Sequence, residues 1–378
     1  MDEDRKLIFI KKITPLLYDL ALAFACIFVI MRARLWMNLA FSWETAILLG
    51  TVFTLYYIVD LLIVKGIWTR FNIVGEYFAS IGTFIVMYLT MSLLIVDAVQ
   101  SILHLFIKSS NIQSYIFISF GFVCFYLVAF STIYGFLKTR FIKLRKYVIP
   151  VEKLESEQKV VLVSDLHVGY FVGPQHIRKV VKKINSADAD LVLISGDIIN
   201  AQHTEECRSL GKVAEILSTI KSRRGVYFVT GNHDPTSRDK VFMDFLKASN
   251  INLIDEEIQR DEFFDIVGRR TKTRERAKLS DLIEEKGGVS KPMIVLDHDP
   301  MGQEEAMENG AALVLSGHTH KGQVFPLNLL LRFLYQKEEI YGCYRRGKTN
   351  TVVTSGAGYF SMPMRTMSSC EVVELDLR

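Results

Sequence analysis

Two hydrophobic rhythms divide this chain. Up to Leu137 the apolar residues come in long runs, roughly Ile13–Met31, Thr45–Val64, Tyr77–Ile95 and Tyr115–Leu137. Each is close to the ~20 residues that an α-helix needs to cross hydrocarbon, so the pattern predicts four membrane-spanning helices. From about Glu155 the runs shorten and alternate with polar stretches of helical period, among them Ile177–Asn185 and Leu210–Lys221. The short runs Val160–Ser164, Leu191–Ser195, Val226–Thr230, Met293–Leu296 and Leu313–Ser316 are apolar and too brief for helices, so they read as buried strands. Thr349–Ser355 and Cys370–Leu377 read as closing strands.

Composition agrees with a two-part chain. At 50% hydrophobic and 23% charged residues, it is too apolar for one soluble domain and too charged for a protein wholly in lipid. We divide it into a tail (1–12), four transmembrane helices (13–137), a basic juxtamembrane linker (138–155) and a soluble domain (156–378). The first span is not a signal peptide, since Arg32, Arg34 and further spans follow it without a small-residue cleavage site. Arg5, Lys6, Lys11 and Lys12 precede the first span, Lys65 and Arg70 follow the second, and Lys138, Arg140, Lys143, Arg145 and Lys146 follow the fourth. The other side has Arg32, Arg34 and Lys108. The positive-inside rule therefore predicts a multi-pass protein of the cell (inner, cytoplasmic) membrane with both termini and the soluble domain in the cytoplasm. Asp60, Asp97 and His104 lie in or near the spans, the two aspartates within reach of headgroup water. A net charge of +4 gives no reason to expect nucleic acid, and the five cysteines show no metal or disulfide spacing.

The chemistry sits where the short strands end. Val160–Ser164 runs into Asp165-Leu-His167, and Leu191–Ser195 into Gly196-Asp197. Val226–Thr230 runs into Gly231-Asn232-His233-Asp234, Met293–Leu296 into Asp297-His298-Asp299-Pro300, and Leu313–Ser316 into Gly317-His318-Thr319-His320. Five of the eight histidines fall in these turns. Carboxylate oxygen and imidazole nitrogen both suit divalent metals, and α/β sheets place their sites at the carboxyl ends of strands. The glycines before Asp197, Asn232 and His318 suit a tight exit from a strand.

In this order the five blocks resemble the calcineurin-like metallophosphoesterase family over roughly residues 156–378, and in particular its branch with an N-terminal multi-span membrane region. The resemblance implies an α/β fold, a four-layer α-β-β-α sandwich, behind an all-α four-helix membrane domain. It implies two divalent cations, manganese, iron or zinc: Asp165, His167 and His320 on the first, Asn232, His298 and His318 on the second, and Asp197 bridging both. His233 then faces the phosphoryl group, with Asp234 orienting it. Two dications held there would share a water and lower its pKa, supplying a hydroxide for in-line attack on phosphorus. Two departures from the family pattern stand out: no glycine precedes His298, and Lys321 follows the last ligand where the membrane-linked branch usually has glycine.

Three features point to an amphiphilic substrate. The domain is tethered to a bilayer, and Phe325–Tyr335, directly after the ligand turn, is unusually apolar. Arg269, Arg274 and their basic neighbours form a loop that can hold headgroup phosphates, and the same role is open to Lys321. Gly356-Ala-Gly358 and Arg365 lie in a loop that can line the site. The expected function is a membrane-anchored phosphohydrolase or phosphodiesterase acting on a phosphoester or pyrophosphate of a lipid or lipid-linked substrate. The alternatives are a tethered phosphodiesterase for soluble nucleotides, and a membrane sensor or transporter whose phosphoesterase fold is regulatory. The complete ligand set argues against the last.

Overall fold

The computed structural model describes residues 21–34, 44, 47, 51, 69–200, 210–272 and 274–378. The chain forms two units, Met1–Tyr134 and Gly135–Arg378. In the first, residues 21–34 are helical, followed by α1 (Thr69–Leu103) and α2 (Ser110–Lys138), whose last turn belongs to the second unit. Tyr77–Leu103 and Asn111–Lys138 are long and apolar enough to cross a membrane. The third and fourth expected spans fall within them. Of the first expected span only the part from residue 21 is described, and it is helical; the second, with Asp60, lies almost wholly outside the described residues. Among the described residues, two helices are thus of membrane length. Asp97 pairs with Arg32.

The second unit is built on two six-stranded sheets. One has the order β1 (Ile142–Ile149), β12 (Cys370–Leu377), β2 (Gln158–Val163), β3 (Leu191–Ser195), β4 (Val226–Val229), β5 (Asn252–Leu253). The other runs β10 (Gly342–Arg346), β11 (Thr349–Val353), β9 (Leu313–Ser316), β8 (Met293–Asp297), β7 (Asp265–Arg269), β6 (Glu257–Arg260). Alternation along the strands explains the layering, because successive side chains point to opposite faces. Val160 and Leu162 of β2, with Leu191 and Leu193 of β3, meet Ile294, Leu296, Leu313 and Leu315 of the other sheet in a core between the sheets. Val161, Val163, Val192 and Ile194 face the other way. They pack on helices α3 (Pro174–Asn185), α4 (Leu210–Leu217) and α5 (Lys240–Ala248). Val267, Val295 and Val314 pack likewise on α6 (Leu279–Glu285) and α7 (Gln303–Glu308). This is the expected sandwich. With both faces covered, the inner strands read as continuous apolar runs.

β1 replaces much of the expected linker. Its partner is β12, in parallel, with Ile142 opposite Cys370, and Lys146 pairs with the buried Glu374. After β9 come α8 (Leu327–Leu334) and α9 (Lys337–Ile340).

Candidate metal centre

Strands β2, β3, β4, β8 and β9 all open their carboxyl ends toward one point. Asp165, His167, Asp197, His318 and His320 take left-handed backbone conformations there, with φ between 49° and 73°. Each such non-glycine residue costs roughly 1–2 kcal/mol, so strain is concentrated where the functional side chains lie. Two glycines make the close approach possible. A Cβ at Gly231 would stand 2.1 Å from Asp197 Oδ1, and one at Gly317 would stand 1.9 Å from Ser164 Oγ. Both are required by crowding rather than by the tightness of the turn; only Gly196, with φ 86°, serves the turn itself.

All seven expected ligands meet. His167 Nε2 lies 3.0 Å from His320 Nε2 and 3.8 Å from Asp165 Oδ1. His298 Nε2 lies 3.1 Å from Asp197 Oδ2, 3.2 Å from Asn232 Oδ1 and 3.3 Å from His318 Nδ1. Asp197 Oδ2 is also 3.7 Å from His167 Nε2, which places this carboxylate between the two groups. Among the described residues two ligand clusters result, Asp165–His167–His320 and Asp165–Asp197–His298. The second draws Asp165 toward both groups, a sharing that the resemblance gave to Asp197 alone.

The surroundings fit divalent cations. His167 Nδ1 donates to Asn200 Oδ1 at 2.8 Å and His298 Nδ1 to the Ser195 carbonyl at 2.7 Å. Each bond fixes the tautomer that turns Nε2 toward the cluster, the usual support for a metal-ligating histidine. His320 differs, because its Nδ1 faces the guanidinium of Arg365, which can only donate, at 3.1 Å. Burial holds His167 and His318 down at about 4, so both rings are neutral at pH 7 with a lone pair to offer. Burial pushes Asp165 up to about 6, with the Asp197 charge adding to it. His298 behaves oppositely: burial opposes its charge, but Asp197 outweighs burial and raises the ring to about 10. A proton on His298 thus balances a site crowded with carboxylates.

Other expected site residues have different parts. His233 is half-buried at the edge of the cluster, its amide donating to Asp197 Oδ1 and its ring 5.3 Å from that of His167. Asp234 is not placed as its orienter. The Asp234 carboxylate accepts from the backbone amides of Asp197, Ile199 and Gly231, and so ties two ligand turns together. Arg274 donates to the Asp234 carbonyl, which makes it a support of that turn rather than a free headgroup contact. Arg269 is fully buried and donates to the Ala277 carbonyl, so it cannot meet a headgroup. Arg365 is fully buried too, donating to the Gly358 carbonyl and Ser368 Oγ. The Lys321 ammonium lies over the ring of Tyr341, 4.1 Å from its centroid.

Sequence reasoning missed Asn200 and Phe360. Asn200 sits three residues past Asp197, a spacing that could have flagged it. Phe360, with its ring 4.3 Å from that of His233, carries no signal in its neighbours.

A family profile described as calcineurin-like phosphoesterase matches residues 158–322. A Helicobacter pylori protein named an uncharacterized metallophosphoesterase is 31% identical over 246 residues, covering 62% of this chain and 64% of that protein. A Danio rerio protein named transmembrane protein with metallophosphoesterase domain is 31% identical over 250 residues, covering 61% of this chain and 56% of that protein. The match therefore spans less than two thirds of either relative. An Aquifex aeolicus metallophosphoesterase, 27% identical, is covered over 95% of its length by 65% of this chain. The profile runs from β2 to the last histidine turn and so takes in all seven clustered ligands: the chain carries a calcineurin-like metallophosphoesterase domain, of a family of metal-dependent phosphoester hydrolases.

Proposed function

We propose that the chain is a membrane-anchored phosphohydrolase or phosphodiesterase that cleaves a phosphoester or pyrophosphate of a lipid or lipid-linked substrate. The reading rests on one observation, the convergence of Asp165, His167, Asp197, Asn232, His298, His318 and His320 at one sheet edge. Two divalent cations held there supply charge neutralisation on the phosphoryl oxygens and a water acidified toward neutrality. Oxygen and nitrogen donors suit manganese, iron and zinc alike.

The chain's own residues do the rest. Asp197, between the two clusters, would hold both cations. Asn200 and the Ser195 carbonyl keep His167 and His298 aimed. His233 stands beside the cluster with its pKa lowered by burial, so at pH 7 a neutral ring offers an N–H to the leaving oxygen. Phe360 packs beside the His233 ring. Two membrane-length helices, with the basic residues that follow α2, support an anchored protein with its domain on the cytoplasmic side.

The test is hydrolysis of a chromogenic phosphodiester by the purified full chain, with and without added Mn²⁺ and after chelation. Chelation should abolish turnover and Mn²⁺ should restore it. Turnover that survives chelation would overturn the reading.

A further inference from the structure

The helix that follows the last ligand turn is built inside out. Of α8's side chains none is buried, and Phe333 is 86%, Leu334 67% and Leu330 53% exposed. Leu327 and Leu329 are exposed as well. The residues turned inward are Asn328, Leu331 and Tyr335, at helical spacing. Asn328 Oδ1 is buried, while five large apolar side chains face outward. A surface helix in water has the reverse pattern. Exposed apolar surface of this extent marks an interaction site.

The occupant can be argued from where α8 is attached. The last turn of α2, a helix apolar and long enough to cross a bilayer, is bonded to the loop before β12: Arg365 N donates to the Gly135 carbonyl, and Lys138 Nζ to the Thr366 carbonyl. The same Thr366 bonds the approach to α8, its amide donating to the Gln323 carbonyl and its Oγ1 accepting from Phe325 N. The apolar helix therefore starts beside the point where the chain leaves the hydrocarbon. Phe141, Phe325, Phe360 and Met367 are exposed around that junction. Arg332 on α8 and Lys337 just after it add cations that suit anionic headgroups. An apolar face rimmed with basic residues is how interfacial helices lie in a bilayer surface.

We propose that α8, with Phe325, Phe360 and Met367, lies in the headgroup region of the bilayer that holds α2, and that the metal edge takes phosphoester lipids directly from that leaflet. The collar adjoins the site itself: Tyr335, at the end of α8, has its ring 6.3 Å from that of His318, and Phe360 flanks His233. The membrane contact stands independently of hydrolysis, whereas the uptake of lipid rests on the phosphohydrolase reading.

The experiment reconstitutes the full chain in phosphatidylcholine–phosphatidylglycerol vesicles. Phe333→Trp and Val241→Trp, the latter at an exposed position on α5, are each read against the parent chain. For Phe333→Trp the added emission should be quenched by brominated lipid and shielded from acrylamide, and for Val241→Trp the reverse. Acrylamide quenching in both variants would overturn the proposal, because α8 would then face water. Shielding of Phe333→Trp from both quenchers would also overturn it, since a second copy or another protein would then cover the helix. A second arm compares a phosphoester lipid in vesicles with a soluble chromogenic diester. Leu330→Asp with Phe333→Asp should slow the vesicle substrate about tenfold or more and leave the soluble one unchanged. Equal loss on both would refute lipid uptake along this face. If the parent chain cleaves neither substrate, the phosphohydrolase reading fails, and the quenching experiment alone decides the membrane contact.

Discussion

The two ends of the sandwich treat buried carboxylates in opposite ways. At the metal edge Asp165 and Asp234 are crowded around Asp197, and burial together with that neighbouring charge raises them to about 6 and about 7. At the other edge, where strands begin, Asp190 and Asp265 are each held by amides and by a guanidinium group. Asp190 accepts from the Lys159 amide and from Arg223, and Asp265 accepts from the Ser290 and Lys291 amides and pairs with Arg260 at 3.0 Å. Burial pushes these two up, but the amides and guanidinium groups outweigh it and hold both below the ordinary carboxylate range. One end spends stability to keep charge available for a guest cation, and the other uses the same residue type to hold the sheets together.

This contrast can be broken at four places. Asp197→Asn should cut turnover by about 10³-fold or more and lower bound metal, measured by initial rates and elemental analysis. Near-parental rates would remove the asymmetry altogether. His233→Ala should keep its metal and lose about 10²-fold or more in turnover, most clearly with poor leaving groups. Loss of metal in that variant would move His233 into the ligand set.

The third test is pH, with the domain's stability followed in chelator. Asp165, Asp234 and His298 have folded pKa values above their unfolded ones, so the folded state binds extra protons. Their contribution should fall as pH rises from about 4 toward 10. Asp190 and Asp265 are depressed, so their contribution is complete above an unfolded pKa of about 3.9 and is lost as pH falls below it. Saturating Mn²⁺ should reverse the first trend, because cation binding must displace the His298 proton and tightens as pH rises. Above about pH 7, where the depressed His167 and His318 no longer titrate in either state, a stability that climbs with pH in chelator would contradict the metal-edge assignment. The smallest effect is Asp265→Ala, which should cost about 1–3 kcal/mol through the amides it strands, with kcat unchanged. A matching loss of activity would mean that the two edges are coupled.

The sequence made the metal edge legible because buried strands are apolar, so polar residues at their exits stand out against the runs before them. The same contrast is missing elsewhere. β1 alternates Lys143, Arg145 and Lys146 with apolar residues and reads as a charged linker until its partner β12 is known. The run Arg269–Lys278 looks solvated, yet Arg276 pairs with Asp297 at 2.9 Å and Arg269 lies 3.5 Å from Glu305, acids supplied by later elements. Asp234 adjoins His233 in sequence, which suggested an orienting role. Only the folded turns show that its carboxylate is used up by three backbone amides. Helix α8 was legible as apolar, but whether its leucines face inward depends on neighbours that local sequence does not contain.

The place of β12 between β1 and β2 has a consequence for how the protein is made. β1 follows α2 directly, yet among the described residues its strand partner is β12 alone, so synthesis must pass Leu377 before that edge of the sheet can form. At ribosomal speeds of about 5–20 residues per second, the half-built domain waits behind α2 for some ten seconds or longer, with the flank of β2 open. A chain stopped before Cys370 would hold every candidate metal ligand and still lack the strand that joins β1 to β2. Such a product should be a substrate for quality-control proteases.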